Sequence, residues 1–270
     1  MSNFEGISMS SLPKEFRADN ICLLHNLSLN LPRLAYESNQ DETYFRAKLA
    51  MLMSTAISAL SSRRRMIERN LKRGLLPALV AGSETFTSEN MPLVINMLGM
   101  EETLNSLTDQ TGQQRYELAL KIAQTASEKA LEKSGKNERF LVSMVEQQGT
   151  SRLYELDLEK YGKSIVQQHS SKAYSQTNIL NTQNSNEKEM IDYIEKLSSI
   201  LLGGVSTTLD VGGEDSKSIF TALSSLAPRI QFLKISKEIV VCRNCGFKLQ
   251  KQERCPRCKS VASYAYLTSK

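Results

Sequence analysis

Four of the five cysteines lie within seventeen residues, as Cys242-Arg-Asn-Cys245 and Cys255-Pro-Arg-Cys258. A C-x-x-C turn aims two thiolates at one point, and two such turns on a short connection complete a closed tetrahedral Cys₄ site. Sulfur fills every position, so the ligand set Cys242, Cys245, Cys255 and Cys258 reads as a structural Zn²⁺ site with no place for a reactive water. Gly246 follows the first pair, where a left-handed turn is often required. Lys248, Lys251, Arg254, Arg257 and Lys259 flank the thiolates and offset the double negative charge of a Zn-Cys₄ centre. The fifth cysteine, Cys22, stands in an apolar stretch and reads as a small core side chain.

The remainder must build its own core. With 270 residues and 40% hydrophobic content the chain suits one large domain or two small ones. No run of 18 apolar residues is present, and the N-terminal Met-Ser-Asn-Phe-Glu lacks a signal peptide's basic start and apolar run, so an intracellular, cytoplasmic protein without a membrane partner is expected. A net charge of +5 permits contact with nucleic acid without establishing it. No DNA-specific motif is present. Trp is absent and aromatics make up 6%, so no stacking platform for bases is advertised.

Along the chain, residues 1–20 are polar and irregular, and residues 21–31 read as a strand stopped by Pro32. Asp41 caps a helix to Arg73, with Phe45, Leu49, Leu52, Ala56 and Leu60 as its apolar stripe. Its tail of Arg63, Arg64, Arg65, Arg69, Lys72 and Arg73 reads as a solvated basic helix end, with a phosphate-contacting patch as the alternative. Residues 75–111 read as irregular, with a short helical stretch after Ser88. A second long helix spans 113–133, with Tyr116, Leu120, Ala123, Ala126 and Ala130 inward. A strand at 140–145 and a short helix at 153–161 follow. Residues 175–188, rich in Ser, Gln, Thr and Asn, read as a linker or mobile loop. Next come a helix from Glu187 to the stop at Gly203-Gly204, a strand at 205–211, a helix at 216–227 and strands at 230–235 and 238–241. Long helices alternating with short strands predict an α/β layer with parallel pairing. The organisation expected is an irregular segment 1–20, an α/β domain 21–237, and a zinc ribbon with its tail at 238–270.

Several separated segments, taken in order, resemble one family. They are Asn30-Leu-Pro-Arg33-Leu-Ala-Tyr36, then Asn70-Leu-Lys-Arg-Gly-Leu-Leu-Pro77, then Gly99-Met-Glu101-Glu102. Leu156-Asp157, Tyr161-Gly162, Tyr174-Ser-Gln-Thr-Asn178 and Gly203-Gly204 continue the series, and the cysteine ribbon closes it. This set resembles the class III, or anaerobic, ribonucleoside-triphosphate reductases of the glycyl-radical enzymes. The resemblance implies the C-terminal half of a glycyl-radical α/β barrel followed by a zinc ribbon. It also implies descent from an enzyme that reduces ribonucleotides with a radical stored on a glycine and relayed to a cysteine.

The departures are as informative. In the family the radical glycine lies just past the ribbon before a tyrosine, and here Ser263-Tyr264-Ala265-Tyr266 puts Ala265 at that place, with no glycine after Gly246. A glycyl radical needs a planar Cα without a side chain, so Ala265 is not expected to serve. Family chains are about twice this length, and their thiyl cysteine precedes the N-L-P-R segment. Cys22 is only eight residues before Asn30 and is not read as that thiol. The family's turn bearing a Glu reads Gln147-Gln148-Gly149-Thr150-Ser151, without the carboxylate. No P-loop or G-x-G-x-x-G replaces these, His25 and His169 have no recognisable partner, and Glu101-Glu102 read as exposed helix-turn acids. No catalytic or cofactor-binding residue is assigned beyond the four cysteines. The expectation is a non-catalytic relative kept as a binding or regulatory protein, on RNA or a ribonucleoprotein such as the ribosome. The alternative is one subunit of a split reductase completed by another reductase-like chain. Open strand edges in a half barrel also call for a cover, a second copy of the chain among the choices.

Overall fold

The computed structural model describes residues 25–77, 91–135, 138–147, 149–166, 172–181, 187–211, 216–230, 232–236, 238–249, 254–260 and 264–268. Residues 1–20, Cys22, residues 78–90 and His169 lie outside them, and where a short helical stretch was expected after Ser88 the described residues 93–98 are a strand.

The first sheet is built from β1 (His25–Asn30), β2 (Leu93–Leu98) and β3 (Phe140–Ser143), all parallel, with β2 in the centre. The second, also parallel, holds β4 (Asn178–Asn181), β5 (Ser206–Asp210) and β6 (Phe232–Ser236), with β5 in the centre. A parallel bridge between Met144 and Val205 joins them, closed by Met144 N–H to Gly204 O at 2.9 Å and Ser206 N–H to Met144 O at 2.8 Å. Gly203 permits this approach, because a Cβ there would meet Val142 O at 2.7 Å. The expected parallel α/β layer is therefore present.

The helices cover the sheets. They are α1 (Leu31–Ser38), α2 (Glu42–Lys72), α3 (Met100–Leu107), α4 (Gln113–Lys133), α5 (Thr150–Tyr161), α6 (Glu187–Ile200) and α7 (Ser216–Leu226). Asp41 caps α2 by accepting the Tyr44 N–H. Phe45, Leu49, Met53 and Leu60 of α2 pack in one core with Ala119, Ile122 and Ala126 of α4 and Ile194 and Leu197 of α6. Small residues on α4 let its neighbours approach closely, and Ser127 there donates to Ile200 O at 2.9 Å. The buried stripe of α4 is Leu118, Ala119, Ile122, Ala123, Ala126 and Ala130, so Tyr116 and Leu120 fall at its half-buried edge rather than inside.

Four expectations are corrected. Pro32 stops β1 but also opens a helix: Asn30 caps α1 with proline in its first turn, where the missing N–H costs nothing. Residues 93–98 form β2, buried at all six positions, and a strand covered on both faces shows no alternation for a pattern to reveal. The expected linker at 175–188 contains β4 and the buried Leu180, while 182–186 lie outside the described residues. In the basic tail of α2, Arg64 is 2% exposed and donates to Glu68, one turn on, at 2.9 Å.

The C-terminal segment forms a separate antiparallel sheet of β7 (Glu238–Cys242), β8 (Lys248–Leu249) and β9 (Tyr264–Thr268), with β7 in the centre. Among the described residues no helix is long and apolar enough to cross a membrane.

Candidate functional site

The four cysteines converge as their spacing requires. Their sulfur atoms all lie within 4.8 Å of one another, with Cys242–Cys258 and Cys245–Cys255 at 3.6 Å. They form a group able to hold a metal ion. The two turns repeat one design. Gly246 N–H donates to Cys242 O and Lys259 N–H to Cys255 O, both at 2.9 Å. The first cysteine of each turn then donates its own N–H onward, Cys242 to Phe247 O and Cys255 to Ser260 O. The left-handed position after each pair is occupied by Gly246 at φ 69° and, unforeseen, by Lys259 at φ 58°. The second turn thus holds a non-glycine residue where the strain is of order 1 kcal/mol or more.

Ser260 is the residue that sequence reasoning missed here. Its hydroxyl lies 3.0 Å from Cys258 Sγ and 3.5 Å from Cys242 Sγ. That contact holds both thiols below their ordinary range, Cys258 at about 5. The Phe247 N–H favours the Cys245 thiolate, but burial and the neighbouring sulfurs push that thiol up to about 12. The signal was present in the spacing, since Ser260 stands two residues after its pair as Phe247 does after the first.

A second constellation gathers motifs that are far apart in sequence. Asp157 of α5 is fully buried and accepts Asn30 Nδ2 at 2.6 Å, Arg33 Nε at 2.6 Å and the Tyr174 hydroxyl at 2.8 Å. Burial, together with the Tyr36 and Asp157 side chains, raises the Tyr174 phenol well above its usual range. Glu102 of α3 is 1% exposed, against the expectation of an exposed acid. Its Oε1 accepts the Ser175 N–H at 2.7 Å and its Oε2 the Ser175 hydroxyl at 2.5 Å. Glu101 does face solvent and pairs with Arg115 at 2.7 Å. Gly99 precedes α3 at φ 76°, and a Cβ on it would sit 2.3 Å from Pro32 Cγ.

The turn after β3 is tied to the same region. Gln176 accepts the Gln147 N–H and donates to Thr150 Oγ1 at 2.8 Å, and Asn26 donates to Gln147 Oε1 at 3.1 Å. Amides stand where a carboxylate was looked for. Asn96 completes the end of the sheet: its Oδ1 accepts Ser143 Oγ and Val145 N–H, and its Nδ2 donates to Val145 O, all at 2.9 Å. His25 does find a neighbour, its Nε2 meeting Arg63 Nη1. Asn30, Gly99 and Gln147 stand at or just past the carboxyl ends of β1, β2 and β3, where these contacts tie the loops together, whereas His25 and Asn26 open β1. Among the described residues the two buried carboxylates, Glu102 and Asp157, accept from backbone, hydroxyl, amide and arginine donors.

A cavity of about 390 Å³ opens beside Ser175–Ile179, between α3, α4 and α6. The stacked rings of Tyr116 and Tyr193, 4.6 Å apart, form part of its wall.

Comparison with known proteins bears directly on these motifs. Curated proteins give no match. Among solved structures, an anaerobic ribonucleotide reductase aligns with TM-score 0.70 and 21% identity, over 90% of this chain and 39% of that one. The Thermotoga maritima anaerobic ribonucleotide reductase with MES in the active site aligns with TM-score 0.71 and 20% identity, over 95% and 43%. The same enzyme with dATP bound in the specificity site gives 0.69 and 21%, over 93% and 44%. This chain therefore shares their fold and spans about two fifths of their length. The family model for anaerobic ribonucleoside-triphosphate reductase matches residues 5–268, which includes both the buried clamp and the cysteine ribbon, and the chain belongs to that family.

Proposed function

We propose that this chain is a non-catalytic, zinc-binding relative of the anaerobic ribonucleotide reductases that works as a binding or regulatory protein, with RNA or a ribonucleoprotein as its partner. In this reading the joined parallel sheets are part of a glycyl-radical-type barrel and the four cysteines hold Zn²⁺. The donor set fits that ion. Four thiolates at Zn–S bonds of about 2.3 Å stand about 3.8 Å apart in a tetrahedron, close to the observed 3.6 Å pairs. With no fifth donor and no open position, the ion would staple β7 and β8 to the second turn and do no chemistry.

The observation that carries the reading is the setting of residue 265. Ala265 lies within β9, paired in register with Val241 of β7, one step from the Cys242–Tyr264 pair. A residue in a ladder has a pyramidal Cα with its side chain directed off the sheet. Alanine there offers neither the bare Cα nor the tight loop that a stored glycyl radical requires. The retained residues are those that cap helices, fill turns and bury carboxylates, which serve the fold and not a reaction.

The test is affinity capture of the tagged full chain from its native host at near-physiological salt, with and without RNase, and identification of the captured proteins. Ribosomal or other ribonucleoprotein components that vanish with RNase support the reading. A second reductase-like chain that stays regardless of RNase, with a glycyl-radical signal in electron paramagnetic resonance after anaerobic activation, replaces it with the split enzyme.

A further inference from the structure

The positive charge of this chain is concentrated in one place. Residues 237–270 contain eight Lys and Arg against two Asp and Glu, so this eighth of the chain carries +6 and the remaining 236 residues carry −1. A Zn-Cys₄ centre takes up two of those charges and leaves a clear excess.

The structure sets part of that excess on the turns that hold the cysteines. Arg243 and Arg257 lie inside the two C-x-x-C turns, Lys259 follows the second, and Arg254 precedes it; all four are exposed. Among the described residues none of the four pairs with a carboxylate, whereas Arg33, Arg46, Arg64, Arg115, Arg152 and Arg229 elsewhere all do. The one acid of the ribbon that the structure describes, Glu238, is at the far end of β7 from Cys242, about 13 Å along the strand. Phe247, 38% exposed, stands beside the first turn. The turns are rigid, because each is closed by its own hydrogen bonds and fixed by a left-handed residue. Cations held on stiff turns, unpaired and close to one flat ring, match a flexible chain of phosphates with a free base to stack. Among the described residues of this segment there is no helix to enter a duplex groove, which disfavours double-stranded DNA.

We infer that the turn face of the ribbon, formed by Arg243, Arg254, Arg257, Lys259 and Phe247, is a binding surface for the phosphate backbone of single-stranded RNA. The inference rests on the RNA-linked reading above and locates it. Phosphate contacts supply most of the affinity, and Phe247 adds one stacked base.

The experiment is fluorescence anisotropy of the zinc-loaded full chain with a labelled U20 oligonucleotide at several salt concentrations. A dT20 oligonucleotide and poly-glutamate serve as competitors. The variant R243Q/R257Q/K259N removes three charges and puts Asn, which tolerates the left-handed conformation, at position 259. Its zinc content, measured separately, should equal that of the parent. Binding to U20 is expected to weaken about tenfold or more, with the salt slope smaller by about 2, at about 0.7 per lost phosphate contact. F247A should lower affinity and leave the slope unchanged. R65Q/R69Q/K72Q/R73Q, at the basic end of α2, should change neither. Parent-like binding by the ribbon variant, with loss in the α2 variant, would overturn the surface and leave the RNA reading standing. No binding of U20 by the parent chain would remove both. Equal competition by poly-glutamate would overturn RNA in favour of an acidic polypeptide, and tighter binding of dT20 would assign the surface to single-stranded DNA.

Discussion

Glu102 holds Ser175 by both ends of its carboxylate, one oxygen on the backbone N–H and the other on the hydroxyl. The two residues are 73 positions apart, and the contact fastens the loop leading into β4 to the first turn of α3. Gly99 N–H adds a bond to Ser175 O at 2.9 Å, so this stretch is tied to α3 by three hydrogen bonds.

Glu102→Gln should destabilise the fold by about 1–3 kcal/mol, because two hydrogen bonds to a buried charged group become neutral ones and the half-buried Ser175 hydroxyl must turn to accept. Ser175→Ala should cost less, about 1 kcal/mol, since the backbone bond survives. Chemical denaturation would read this as a lower midpoint at unchanged slope. An unaltered midpoint for the Glu102 variant would show that the clamp contributes nothing.

Gly99→Ala should cost about 3 kcal/mol, because it adds a left-handed penalty to a clash with the Pro32 ring. Gly74→Ala shares the positive φ, at 69°, but has nothing within 4 Å of the added carbon, so about 1 kcal/mol is expected. The difference in thermal midpoint between the two variants measures the Pro32 contact itself.

Stripping the metal should unfold the ribbon and spare the α/β domain. One zinc ion per chain should be released to a colorimetric chelator, with four thiols becoming reactive alongside it. The helical circular dichroism should persist, since the seven helices of the described residues lie before residue 238. Collapse of the helical signal on chelation would mean that the ribbon supports the domain.

Glu37 should make stability sensitive to acid. The Tyr161 hydroxyl, then Lys160 and Lys48, hold its carboxyl down at about 2. A folded-state value below the unfolded one contributes stability above the ordinary carboxylate range and loses it as pH falls towards 2. Solvent reaches this cluster, so the contribution is about 1 kcal/mol. The parent chain should therefore lose more stability than Glu37→Gln between pH 5 and pH 3, measured by urea unfolding. Parallel curves for the two proteins would exclude the effect.

The long amphipathic helices α2 and α4, with their caps and apolar stripes, were legible because period and punctuation agree over many turns. The cysteine turns were legible because ligand spacing within one turn is a local property. β2 was not, since a strand buried on both faces has no alternation, and β4 was not, since its four residues set only Ile179 and Leu180 between two asparagines, too short a run for a pattern to show. The burial of Arg64, Glu102 and Asp157 was equally invisible. A charged residue reads as solvated until the fold delivers its surroundings: the partners of Glu102 and Asp157 lie 73 and up to 127 positions away, and Arg64, whose partner Glu68 is one turn on, is buried only by the packing of the chain around it. The sequence by itself thus determined the long helices, the convergence of the four cysteines and the alanine at position 265, because each depends on neighbours within a turn or two of chain. Only the tertiary structure decided which motifs meet, because buried polar groups take partners by proximity in space, and that proximity is created by the packing of the sheets and helices.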